Sequence, residues 1–134
     1  LGTDTKYYYG WLNKHYPEKK WAISDFDVVP VGPFNLVICA DVVEHLVEPD
    51  NLLKFVSNID WNYFIISTPN RDEYYSRYRK KGIDGPPHNK KHVREWNNDE
   101  FIKYISDYFS VVYNEVCVLP FCTQFLVCKK YDIK

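Results

Sequence analysis

"FNLVICADVVEHL", residues 34–46, decides how this chain is read. An apolar run of strand length, Phe34 to Ala40, ends abruptly in Asp41, and an acid–histidine pair, Glu44-His45, follows at once. Gly32-Pro33 bounds the run on its other side. A continuous apolar run of this length, bounded by turn residues, predicts a strand buried on both faces, as in a parallel sheet. Its acidic exit then falls where such sheets hold ligands, beyond the carboxyl ends of the strands.

The flanking sequence alternates. Upstream, "YYYGWLNKHYP" carries apolar residues around one helical face and stops at Pro17, and "WAIS" reads as a short strand entering the acidic turn "DFD". Downstream, Glu48-Pro49-Asp50 opens a helix with proline in its first turn, and Leu52, Leu53, Val56 and Ile59 form the buried stripe. "NYFIIST" is a second buried strand, ended by Pro69-Asn70. In "NNDEFIKYISDYF", Asn97 and Glu100 make a capping-box pattern. "FSVVYNEVCV" and "TQFLVCKK" predict an antiparallel terminal pair. Strand–helix alternation followed by a hairpin predicts one α/β domain over residues 1–134. Its sheet is expected to be mostly parallel with an antiparallel C-terminal hairpin, inside a three-layer sandwich.

Bulk properties exclude some functions. The net charge of −1 gives no global field toward nucleic acid or an anionic membrane. No apolar run approaches the ~20 residues that span a bilayer. The four cysteines (39, 117, 122, 128) have neither C-x-x-C spacing nor a dense framework, so they read as reduced and mostly buried, in a cytoplasmic protein. One local charge excess stands out. From Arg77 to Arg94 seven basic residues meet one acid, Asp84, which reads as a solvated loop or as a collar for an anionic substrate.

The strand-end segments "GTDT", "SDFD", "CADVVEH" and "STPNRDE" all present acids, hydroxyls or amides. They suit a ligand rich in hydroxyl and amine groups. With "GTD", "SDFD", "FNLVICADVVEHL", "FIISTPN" and "HVREWNNDEF" in this order, the chain resembles the class I S-adenosylmethionine-dependent methyltransferases, in the manner of methyltransferase domain families 11 and 23. The likeness runs over nearly the whole chain, from the second strand of that Rossmann-like fold to its last.

The resemblance implies roles residue by residue. Asp4 matches the acid that accepts both ribose hydroxyls of the cofactor, Asp25 the acid that accepts from the adenine amine, and Phe26 would pack on the adenine ring. Cys39, Ala40 and Asp41 match the stretch along the cofactor's methionine part, where small residues let the backbone come close.

For Asp41, Glu44 and His45, at i, i+3 and i+4 of a helical turn, three readings stay open. In the first, Asp41 caps the turn and His45 is a satisfied, partly buried histidine. In the second, His45 acts as general base or orients the acceptor for methyl transfer to a hydroxyl, with His92 of "HVREW" on the acceptor side of the pocket. In the third, Asp41, Glu44, His45 and His92 hold a divalent ion, as in the small-RNA 2′-O-methyltransferases that the segment resembles. This chain differs from that group in having aspartate at the first ligand position and no long RNA-binding region. The expectation is therefore no metal, a small acceptor, anionic or sugar-containing, and no nucleic acid or membrane partner; oligomeric state stays open. Asp41, Glu44, His45 and His92 are the expected catalytic residues, with His88 exposed.

Five glycines (2, 10, 32, 82, 85) form no G-x-G, and the chain has no methionine. The family's glycine-rich loop follows its first, central strand. An upstream strand, glycine-rich turn and helix are therefore expected, without which the chain should neither fold in the usual way nor bind the cofactor well. The stretch from Asp4 to Asp25 is short for a full helical crossover. A non-catalytic methyltransferase-like interaction module is the rival reading.

Overall fold

The computed structural model describes residues 1–78, 87, 89–118 and 122–131, with backbone alone for 75–78. They form two compact units, Leu1–Pro30 and Val31–Lys134.

The first unit is a parallel β–α–β turn. Strand β1 (Gly2–Asp4) pairs with β2 (Trp21–Ile23) in the register Gly2↔Trp21, Thr3↔Ala22, Asp4↔Ile23. Helix α1 (Lys6–His15) makes the crossover, so the spacing that looked short for a helix accommodates ten residues of it. It ends two residues before Pro17, which cannot continue the backbone ladder. Gly2 is required by close approach: a Cβ there would lie 2.2 Å from the Trp21 ring.

The second unit is built on a four-stranded sheet in the order β3 (Phe34–Ala40), β4 (Trp61–Pro69), β6 (Thr123–Lys129), β5 (Ser110–Cys117). Strands β3 and β4 are parallel, with Ala40 opposite Ser67. Strand β6 runs antiparallel to both β4 and β5, so the terminal hairpin is present and inserts its second strand next to β4. Parallel and antiparallel pairings are therefore balanced among the described residues: the two-stranded sheet is parallel and the four-stranded sheet is mixed, not mostly parallel.

Alternation along β4 and β6 sends Phe64, Ile66 and Thr68, and Gln124, Leu126 and Cys128, into the core. Helix α2 (Pro49–Asn58) adds Leu52, Leu53, Phe55 and Val56, and α4 (Asn98–Ser106) adds Phe101 and Ile105. Phe64, Trp61 and Phe109 meet edge-on or tilted at 5.4–5.9 Å between ring centres, a geometry that aligns ring edges with π faces. Strand β3 departs from expectation. Leu36 is 44% and Ile38 63% exposed: in register with Tyr63 and Ile65, they lie on the face of the sheet opposite the Phe64–Ile66 core.

The capping box is present: Asn97 Oδ1 accepts from the Glu100 N–H at 2.9 Å, and Glu100 Oε2 from the Asn97 N–H at 3.1 Å. Asn97→Ala should lower stability by about 1 kcal/mol, seen as a lower urea midpoint at unchanged slope. The Glu100 carboxyl is held below its ordinary range, first by its hydrogen bond from Arg71 (Nη2 to Oε1, 2.9 Å). A lowered carboxyl pKa contributes stability above the unfolded-state value and loses it as pH falls through the folded one. Acidification through that window should thus lower the wild-type midpoint more than that of Glu100→Gln. The exposure of the pair keeps this effect small.

Helix α3 (Arg71–Tyr78) lies in sequence that read as a strand-end segment and basic loop. Its signal was present: Asn70 Oδ1 accepts from the Glu73 N–H at 3.1 Å, the first half of the arrangement that opens α4. Half of the Arg77–Arg94 stretch, residues 79–86 and His88, lies outside the described residues. All four cysteines are free thiols; Cys39, Cys122 and Cys128 are buried and Cys117 is half-buried. Burial pushes the thiols of Cys39 and Cys128 up to about 12. No helix among the described residues is long and apolar enough to cross a membrane.

Candidate functional site

Parallel pairing of β3 with β4 brings their carboxyl ends together and with them the polar residues that follow. Asp41 leaves β3 in the left-handed region (φ 52°), a conformation that a short polar side chain tolerates. Its N–H donates to the Ser67 carbonyl at 3.2 Å, and its Oδ1 accepts from Ser67 Oγ at 3.1 Å. The helical turn is a short 3₁₀ segment, Val43–His45, preceded by Val42. Asp41 therefore stands outside the turn and does not cap it, which corrects the i, i+3, i+4 arrangement.

Glu44 is 1% exposed, in sharp contrast with its exposed neighbour His45. Its Oε2 accepts from Thr68 Oγ1 at 3.2 Å, and burial is the largest influence raising its carboxyl above the ordinary range. Its backbone carbonyl accepts from the N–H groups of Val93 (2.8 Å) and Arg94 (3.4 Å), which docks the segment carrying His92. The His45 Nδ1 lies 3.0 Å from the Lys91 carbonyl, an acceptor only, so Nδ1 donates and Nε2 carries the lone pair in the neutral ring. That Nε2 is 3.8 Å from Glu44 Oε1.

The second imidazole arrives edge-on: the ring centres of His45 and His92 are 4.9 Å apart. His92 Nδ1 lies 2.8 Å from Glu95 Oε1, and its Nε2 2.9 Å from Asn89 Nδ2. One ligand-capable atom from each of Glu44, His45 and His92 lies within 4.8 Å of the others. The distal end of this segment is fastened as well. The Trp96 carbonyl accepts from Arg71 N–H and Gln124 Nε2, both at 2.9 Å, and buried Asn70 donates to Gln124 Oε1 at 3.0 Å. Arg94 donates to the Val47 carbonyl at 2.9 Å and lies 5.9 Å over the Trp96 ring.

The expected residues are thus distributed as follows. Glu44, His45 and His92 come together, and Asp41 adjoins them through Ser67 but is not part of the three-ligand group. Cys39 is buried at the end of β3 and Ala40 is exposed beside it. Asp4, Asp25 and Phe26 belong to the first unit. There Asp4 ends β1 with Oδ1 accepting from the Thr5 N–H at 2.7 Å, Asp25 is exposed just past β2, and Phe26 has φ 67°. Asp4 and Asp25 follow adjacent parallel strands and lie toward the same end of that pair. Ser67, Thr68, Asn89 and Glu95 were not singled out by sequence reasoning. Only Glu95 carried a signal, as an acid one short helical step after His92.

No protein-family model matches the chain, and no curated protein matches its sequence. Solved structures match in fold. One is a chain of the Pnkp1/Rnl/Hen1 RNA repair complex (TM-score 0.63, 19% identity, 96% of this chain and 31% of that one). Another is the methyltransferase domain of bacterial CtHen1-CN (0.60, 22%, 96% and 76%). A third is magnesium protoporphyrin IX methyltransferase (ChlM) from Synechocystis PCC 6803 with bound SAH (0.68, 15%, 96% and 63%). The chain spans less than a third of the repair-complex chain. These likenesses show an α/β fold, one shared with the two methyltransferase structures.

Proposed function

We propose that this chain is an S-adenosylmethionine-dependent methyltransferase domain that methylates oxygen on a small, anionic or sugar-containing acceptor. The observation that carries the reading is the Glu44–His45–His92 group at the carboxyl ends of β3 and β4, where α/β sheets hold ligands. S-adenosylmethionine, when bound, supplies an electrophilic methyl group. Each unit offers groups that could contact it. Asp4 engages Thr5 through Oδ1 alone, which leaves a carboxylate oxygen for ribose hydroxyls. Asp25 would accept from the adenine amine and Phe26 would pack on the ring. Ala40 offers a small exposed side chain at a strand end, flanked by Cys39 and Asp41. On the acceptor side, His92 or His45 takes up the hydroxyl proton at a lone-pair nitrogen, and buried Glu44 favours the imidazolium that forms.

Calorimetric titration with S-adenosylhomocysteine tests the reading. Binding with a rise in melting temperature is expected, as is weakened binding for Asp4→Ala at nearly unchanged stability. No heat and no thermal shift at millimolar ligand would favour the non-catalytic module instead.

A second reading gives Glu44, His45 and His92 a divalent ion, supported by their mutual distances and by the hydrogen bond each imidazole makes through Nδ1. The acceptor would then be a hydroxyl on RNA, by analogy with the RNA repair complex among the structural neighbours. A thermal shift with Mn²⁺ or Zn²⁺ that His45→Ala abolishes supports this reading; absence of any shift removes it.

A further inference from the structure

We propose that Glu95 and Asn89 are positioning residues that hold His92 in its Nδ1–H tautomer and keep Nε2 as the lone-pair nitrogen. Two independent hydrogen bonds demand the same tautomer. Glu95 Oε1 lies 2.8 Å from His92 Nδ1, and a carboxylate only accepts, so Nδ1 donates. Asn89 Oδ1 accepts from the Lys91 N–H at 3.0 Å, which assigns the other end of that amide as NH₂. That NH₂ lies 2.9 Å from His92 Nε2, which must therefore accept.

Burial gives the first bond its strength. The His92 and Glu95 side chains are 9% and 3% exposed, so water competes little for either partner. Glu95 Oε2 is buried with no hydrogen-bond partner, which makes the bond to His92 the carboxylate's main anchor among the described residues. The backbone beneath is fixed at both ends by the Glu44 and Trp96 carbonyl contacts, so the imidazole is set in a rigid frame.

The consequence concerns Nε2. Proton uptake from an acceptor, or coordination of an ion, requires a lone pair there. Asn89 occupies that lone pair with a donor, and an acceptor hydroxyl would replace it with the same polarity. A histidine free in water favours the Nε2–H form, so the wild-type tautomer is itself diagnostic. The tautomer assignment stands independently of the proposed function, and its use in catalysis rests on that function.

Long-range proton–nitrogen NMR on the ¹⁵N-labelled chain, at a pH where His92 is neutral, tests the proposal. The His92 signals are assigned by their loss in His92→Gln. Wild type should show Nδ1–H, and Glu95→Gln, whose carbonyl can still accept, should keep it. Glu95→Leu should move the ring toward Nε2–H, and the double variant N89A/E95L should complete the change with a native-like amide spectrum. Nε2–H in the wild type, or Nδ1–H retained in the folded double variant, overturns the proposal. If turnover is measurable, loss of the tautomer should lower kcat by about 10- to 100-fold without raising KM for S-adenosylmethionine. A lost tautomer with full kcat leaves the positioning standing and overturns His92 as the acceptor base.

Discussion

His92→Ala is expected to lower methyl-transfer turnover by about 10²- to 10⁴-fold, the range associated with a positioned acid or base, with cofactor affinity nearly unchanged. The asymmetry follows from the roles proposed for the two sets of residues. His92 lies on the segment docked against Glu44, whereas the residues expected to hold the cofactor are Asp4, Asp25 and Phe26, together with Cys39, Ala40 and Asp41. His45→Ala should also lower turnover, by a smaller factor. Its ring is more exposed than that of His92, and its Nδ1 bond is to a backbone carbonyl rather than a buried carboxylate. Single-turnover kinetics and calorimetry on the same variants separate the two quantities. Full activity in both variants would remove the acceptor-site assignment altogether.

Phe64→Ala should destabilise the second unit by about 3–5 kcal/mol, read as a fall in the urea midpoint. Phe64 is 0% exposed in the middle of β4 and meets both Trp61 and Phe109. Truncation removes transfer energy and leaves a cavity between partners that the sheet and the aromatic cluster hold in place. Such a loss is a large fraction of the ~5–15 kcal/mol by which a domain is stable, so the variant should be partly unfolded at modest temperature. Tyr63→Ala, next to it on the opposite face and 43% exposed, should cost far less. Equal costs would place the core on the wrong side of the sheet.

The elements that periodicity and punctuation specify were legible in the sequence. Pro49 at the start of α2, Pro17 after α1 and the Asn97–Glu100 cap each encode a boundary locally, and the structure has those boundaries. The apolar runs of β3 and β4 announced parallel strands, because unalternating residues of strand length rarely do otherwise. What stayed hidden depends on tertiary context. The placement of β6 between β4 and β5 is a matter of pairing partners, which no local pattern states. Helix α3 has little apolar face to reveal it, only a cap. At the site, the pairing of Glu44 with the segment bearing His92 joins residues 44 and 93 through backbone atoms, which carry no sequence signature. Glu95 lies one short helical step after His92, and only the fold shows that the imidazole is its partner.

The buried thiols supply a gauge of the native state. A thiol reacts with alkylating reagents as its thiolate, and Cys39 and Cys128, raised to about 12 by burial, hold almost none at neutral pH. Iodoacetamide should therefore modify the half-buried Cys117 first, with Cys39, Cys122 and Cys128 silent. Opening of β3 or β6 would then register as a stepwise gain in mass, strand by strand, so that peptide mapping of the alkylated chain times the loosening of the edge strand β3 and of the interior strand β6.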